Sequence, residues 1–85
     1  MFIKFGAEWC GNCDNIAGDL DELAKKHTDA KYYYVDVDEC EEFAQAQGCS
    51  SLPRLMYFED GAKKGEMFGT KVNKYEEFFA SMTGS

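Results

Sequence analysis

No apolar run in this chain approaches the ~20 residues needed to cross a bilayer. The opening Met1-Phe2-Ile3-Lys4-Phe5-Gly6 also lacks the long apolar stretch of a secretory signal, so a cytoplasmic protein without membrane contact is expected. Cations are scarce: Lys and Arg number 9 against 16 Asp and Glu, a formal charge of −7. A phosphate backbone or an anionic lipid surface is held by clustered cations, which argues against nucleic acid and membranes as partners. Repeats, low-complexity stretches and linkers are absent from the 85 residues, which leaves one domain over residues 1–85. What is present suits a core: 45% of residues are hydrophobic and 15% aromatic, which excludes a disordered chain. A domain this short buries only ~60–65% of the surface its unfolded form exposes, so its stability margin is thin.

Cysteine is the informative residue. Cys10, Cys13, Cys40 and Cys49 could form two disulfides in a secreted mini-protein, but Cys10 and Cys13 stand two residues apart, a spacing of redox or metal chemistry. Tetrahedral zinc sites usually draw on a second close pair, whereas Cys40 and Cys49 are nine apart with a helical segment between them. A pair bridging an iron–sulfur cluster between two chains is the remaining metal reading.

The period of the apolar residues changes along the chain. Phe2, Ile3 and Phe5 make a short run ending at Gly6, which predicts a buried strand. Ile16, Leu20 and Leu23 form one stripe of a helix over residues 12–26, closed by Lys25, Lys26 and His27 at the end where its dipole favours cations. Residues 31–37, rich in Tyr and Val, predict a second strand. Asp38 followed by Glu41 resembles a capping box for a short helix with Cys40, Phe43, Ala44 and Gln47 on one face and Gly48 as its stop. Residues 55–58 and 65–68 predict a hairpin around Glu59-Asp60-Gly61, and Tyr75, Phe78, Phe79 and Met82 a last amphipathic helix. The order β-α-β-α-β-β-α gives an α/β fold, a four-stranded mixed sheet with helices on both faces. Cys40 and Cys49 fit as small buried hydrophobes, with a regulatory thiol at Cys40 as the alternative.

Trp9-Cys10-Gly11-Asn12-Cys13 lies where the first strand gives way to the first helix. A thiol attacks only as its thiolate, and unpaired N–H groups with the helix dipole stabilise that charge at Cys10. Cys13, nearly one turn on, can attack a mixed disulfide on Cys10 and release the partner reduced.

Ala7-Glu8-Trp9-Cys10-Gly11-Asn12-Cys13, Val35-Asp36-Val37-Asp38, Leu52-Pro53, Phe58-Glu59-Asp60-Gly61 and Phe68-Gly69 together resemble successive landmarks of the thioredoxin family, in order and over nearly the whole chain. The resemblance implies a minimal thioredoxin fold and a protein-disulfide reductase that acts as a monomer without bound cofactor. Its partners would be disulfide-containing proteins, and its electron donor a thioredoxin reductase or, as in glutaredoxins, glutathione. Pro53 would be a cis proline facing the disulfide and Leu52 would bind substrate backbone. Trp9, Gly11 and Asn12 would meet substrate beside the sulfurs, and Gly69 would admit a partner's backbone. A non-catalytic adaptor on the same fold is the rival.

Several positions depart from the family. Gly11-Asn12 replaces the usual Gly-Pro, which should move the couple toward oxidising. Lys4 stands where the family has a buried Asp that helps deprotonate the resolving cysteine. A buried Lys4 cation would lower the Cys13 pKa and join the catalytic set; the alternatives are a pair with Asp14 or a side chain that snorkels to water. Arg54 replaces a small hydroxyl residue after the proline and could recruit an acidic partner or glutathione's carboxylates. The family's extra first strand and helix are not expected here, so the Tyr32–Tyr34 strand should be an open edge.

Overall fold

The computed structural model describes residues 1–27 and 30–83. Its elements run β1 (Phe2–Gly6), α1 (Gly11–Lys26), β2 (Tyr32–Asp36), α2 (Glu41–Ala46), β3 (Arg54–Glu59), β4 (Ala62–Phe68) and α3 (Val72–Thr83). The sheet order is β2-β1-β3-β4. Within it β1 pairs parallel to β2 and antiparallel to β3, and β3 pairs antiparallel to β4. The expected α/β architecture is therefore present, with β2 as an edge strand.

The alternation of side chains along β1 and β3 builds two cores. Phe2 and Leu55 face α1 and α3, where they meet Ile16, Leu20, Leu23, Tyr75 and Phe79. Ile3, Phe5, Met56 and Phe58 face the other way and close against Ala44 of α2. The stripe of α1 is buried as its spacing requires, with Asp14 in its first turn and Lys25 and Lys26 in its last. Asp60 and Gly61 take positive φ of 54° and 80°, the two left-handed residues of a tight hairpin. Among the described residues no helix is long and apolar enough to cross a membrane.

Two local expectations are corrected. No capping box forms at Asp38 and Glu41: the N-cap of α2 is Cys40, without a side-chain cap. Asp36 competes successfully for the local donors, its Oδ1 accepting Asp38 N–H at 2.8 Å and its carbonyl accepting Cys40 N–H at 2.9 Å. Because α2 starts two residues later, Cys40 lies outside its apolar stripe and is exposed, while Cys49 is half-buried beside the Ile3–Met56 core. His27 closes α1 as its C-cap, half-buried, with its ring stacked 5.6 Å from that of Phe79.

Candidate active site

Gly6 ends β1, and the chain turns over Ala7-Glu8-Trp9 into α1 with a Cys10 N–H to Ala7 carbonyl bond of 3.2 Å. Cys10 is the N-cap of α1, in extended conformation, and its Sγ accepts the Cys13 N–H at 3.1 Å. A cap residue normally offers oxygen to that orphan donor; here sulfur takes the place. Cys10 and Cys13 form a disulfide with Cα atoms 5.3 Å apart. Both are buried, Cys13 to 3% exposure and Cys10 to 6%.

The pair opens on a groove of about 480 Å³. Trp9, Gly11 and Asn12 form one wall with Cys10, and residues 49–52 with Val37 form the other. Trp9 is 69% exposed, and its indole N–H donates to Asp38 Oδ2 at 2.6 Å, which fixes the ring's edge. Glu8, Asp36, Asp38 and Glu39 surround Trp9 in an adjoining acidic hollow.

The far wall is pinned from two sides. Leu52–Pro53 is a cis peptide bond. Arg54, at the start of β3, donates from Nε to the Ser51 carbonyl at 3.3 Å, from Nη2 to Ser51 Oγ at 3.0 Å and from Nη1 to Glu66 Oε2 at 2.6 Å. Its guanidinium also lies 4.9 Å from the Phe68 ring centroid. From α3, the buried Tyr75 hydroxyl is shared between the carbonyls of Gly69 at 2.7 Å and Pro53 at 3.3 Å. Burial pushes the Tyr75 phenol up to about 12, against the opposing pull of Arg54.

Lys4 projects from β1 into the sheet face that carries α1 and is 6% exposed. Its Nζ sits 5.5 Å from the centroid of the Tyr34 ring, the residue opposite it on β2. Burial holds the Lys4 ammonium below its ordinary range, with Asp21 and Asp14 pulling the other way.

A family model described as Thioredoxin matches residues 1–83. Thioredoxin-2 of Saccharomyces cerevisiae is 33% identical over 81 residues, covering 95% of this chain and 78% of its own length. A thioredoxin H-type of Oryza sativa subsp. indica is 32% identical over 85 residues, all of this chain and 70% of its own. The crystal structure of Malassezia sympodialis thioredoxin superposes with a TM-score of 0.92 at 28% identity, over 96% of this chain and 75% of that one. The chain belongs to the thioredoxin family. It is a thiol–disulfide oxidoreductase with Cys10 and Cys13 as its redox pair. Membership implies disulfide-bearing protein substrates and a reductase partner.

Against that thioredoxin frame, Trp9, Gly11, Asn12 and Leu52 all line the groove with Cys10. Pro53 does not: its side chain is fully buried. Gly69 lies beside it, donating its N–H to the Pro53 carbonyl at 3.3 Å, with φ of 113° and open space where a Cβ would stand. Among the described residues Lys4 forms no ion pair with Asp14, and at 6% exposure its side chain lies mostly within the fold rather than out in solvent. Arg54 is turned inward on Glu66 and Ser51, with its side chain 8% exposed, rather than outward toward an acidic partner. Sequence reasoning missed Ser51 and Glu66 as its partners, Tyr75 as the holder of the Pro53 carbonyl, and Cys49 as a groove residue. Glu66, Tyr75 and Cys49 depend on which elements become neighbours, a pairing no local motif announces, whereas Ser51 lies only three residues from Arg54.

Proposed function

We propose that this protein reduces disulfides in other proteins by a two-step exchange in which Cys10 attacks and Cys13 resolves. The observation that carries the assignment is the asymmetry of the pair: Cys10 Sγ caps α1 and lines the groove, while Cys13 lies beneath it at 3% exposure. A partner sulfur reaches Cys10 first, and Cys13 is placed to displace it. Substrate backbone lies in the groove against Trp9, Gly11, Asn12 and Leu52, with Pro53 and Gly69 shaping the wall behind. Lys4, buried on the α1 side, favours the Cys13 thiolate by its charge.

The electron donor in this reading is a thioredoxin reductase rather than glutathione. The Arg54 donors that could hold glutathione's carboxylates are engaged by Ser51 and Glu66, and the hollow beside Trp9 is acidic. The protein acts as a monomer, one domain over residues 1–85, in a reducing cytoplasmic compartment; Cys40 and Cys49, both free thiols, support that placement. The test is trapping. Cys13→Ser incubated with a disulfide-bearing protein should accumulate a mixed disulfide on Cys10, seen by mass spectrometry, and Cys10→Ser should accumulate none. A partner captured through Cys13 instead would reverse the assignment.

A further inference from the structure

Gly6 marks an unusual junction behind the resolving sulfur. A methyl group on its Cα would lie 3.0 Å from Tyr34 Cε1, 3.3 Å from Tyr34 Oη and 3.6 Å from Cys13 Sγ. The tyrosine hydroxyl and the sulfur therefore both lie within contact distance of one point beside the bare Cα of Gly6. Any larger residue at position 6 would wedge them apart. The parallel register places Tyr34 opposite Lys4, two residues before Gly6 on β1, so the Lys4 ammonium lies over the ring while the hydroxyl edge of the ring reaches Gly6.

We propose that the Tyr34 hydroxyl donates a hydrogen bond to the Cys13 thiolate and is a catalytic residue of the resolving step. The inference rests on the assignment of Cys13 as the resolving thiol. While Sγ is held in the disulfide no hydrogen bond joins the two; reduction frees the sulfur to turn about its Cα–Cβ bond toward the hydroxyl. Cys13 needs such a donor. Burial opposes its ionisation, and its own N–H is directed to Cys10 Sγ. The charged groups around Tyr34 are Asp36 on its own strand, Asp14 on α1, Glu8 in the turn before α1 and Glu39 ahead of α2, with Lys4 over the ring. Asp21 of α1 acts on Lys4. The four carboxylates oppose another anion nearby, which leaves the ammonium and the phenolic O–H as the groups of favourable sign. Burial and those same carboxylates hold the Tyr34 ionisation above its ordinary 10.0, so the hydroxyl keeps its proton and serves as a donor.

In the resolving step the Cys13 thiol loses its proton to water, and the thiolate attacks Cys10 Sγ of the mixed disulfide. The Cys10–Cys13 bond forms as the bond from Cys10 to the partner sulfur breaks. The partner leaves as a thiolate, takes a proton, and has received the two electrons that the cysteine pair gives up. Tyr34 keeps its proton throughout; its bond lowers the free energy of the attacking thiolate before the transfer.

The reduced protein in a Cys40→Ser, Cys49→Ser background, which leaves the redox pair as its only thiols, mixed with excess dithiobis(nitrobenzoate) separates the steps in a stopped-flow record. The first thionitrobenzoate released reports attack by Cys10, and the second, independent of reagent concentration, reports resolution by Cys13. Tyr34→Phe removes one hydroxyl from a half-exposed side chain and should leave the melting temperature and the first phase unchanged. It should slow the second phase roughly three- to tenfold below the Cys13 pKa, the scale of one hydrogen bond, and converge on wild type at high pH. The Cys13 ¹³Cβ titration should shift upward by the same factor. A second phase that overlays wild type, or one slowed equally at every pH, overturns the role of Tyr34. Cys13→Ser is the control for the underlying reading: a second phase that survives in that variant removes Cys13 as the resolving thiol, whatever Tyr34→Phe does.

Discussion

Arg54→Leu is the substitution for which the structure sets the sharpest magnitude. It deletes three hydrogen bonds at once, to Glu66 at 2.6 Å and to Ser51 at 3.0 and 3.3 Å, and the guanidinium stacked on Phe68. Breaking a fully buried pair costs about 3–5 kcal/mol, because the surviving charge is stranded. Here the two ends differ: the Arg54 side chain is 8% exposed and that of Glu66 36%. Glu66 can recover water once its partner is gone, so the loss should fall to about 2 kcal/mol, nearer the worth of charge-assisted hydrogen bonds than of a buried ion pair. In a domain of this size that lowers the melting temperature by roughly 10 °C.

Urea unfolding of the oxidised protein measures the change, and a double-mutant cycle with Glu66→Leu apportions it. Paired removal should cost less than the two single losses together, leaving a coupling of about 1 kcal/mol between Arg54 and Glu66. Additive losses would refute the ion pair as a source of stability and assign the effect to the Ser51 hydrogen bonds and lost packing. The activity readout is separate. Arg54 holds Ser51, next to the Leu52 that lines the groove, so the KM for a protein disulfide should rise several-fold while the rate with a small disulfide is kept. Equal losses with both substrates would refute the wall's role in holding a polypeptide.

The Lys4 ammonium is held below its ordinary 10.5 in the folded chain by burial. Below that folded value both states are charged and the folded one carries the penalty; as pH rises toward 10.5 the folded chain loses its proton first and the penalty fades. Lys4→Met should therefore be more stable than wild type at neutral pH, with an advantage that shrinks as pH approaches 10.5 in parallel urea titrations; an advantage that grows would contradict the burial. Cys40 is exposed, whereas burial pushes the Cys49 thiol up despite the nearby Arg54. Iodoacetamide should label Cys40 first, and Cys49 only as pH is raised, read by peptide mass spectrometry; prompt labelling of Cys49 at neutral pH would place it outside the wall described. Tyr32 buries a hydroxyl without a hydrogen-bond partner, so Tyr32→Phe should leave stability unchanged or raise it by up to about 1 kcal/mol; a loss larger than that would show the hydroxyl bonded.

The legible parts of this fold are those written in local patterns. The stripes of α1 and α3 follow from the spacing of Ile16, Leu20 and Leu23 and of Tyr75 and Phe79, and the hairpin from Asp60-Gly61. Where a pattern had a local competitor it misled. Asp38 and Glu41 have capping-box spacing, but Asp36 two residues earlier offers both a carboxylate and a carbonyl to the same turn. That shift carries Cys40 from the apolar face into solvent. β4 begins at Ala62 rather than at Gly65 because pairing with β3 resumes at Lys63 and Ala62 beyond a bulge at Lys64, a stretch with no strand-like alternation. The redox pair was legible because its chemistry needs only three residues of spacing. Arg54 was misleading for the opposite reason: its environment comes from Glu66 across the β3–β4 ladder, and a guanidinium looks free until that register is known.

The same distinction explains how a cation can occupy the position of the family's buried acid without loss of the fold. Lys4 needs a neighbour that tolerates a desolvated ammonium, and the parallel register with β2 supplies the face of the Tyr34 ring, since Lys4 pairs with Tyr34 across that ladder. An aromatic face compensates a cation without adding an anion beside Cys13, whereas an ion pair with Asp14 would have brought a carboxylate toward the sulfur. Gly6 completes the arrangement, because the ring can cross toward Cys13 only where β1 carries no side chain. Position 4 therefore cannot be understood by comparison with the family's acid alone; its meaning lies in three residues on two strands, and a substitution at any one of them changes the environment of the other two.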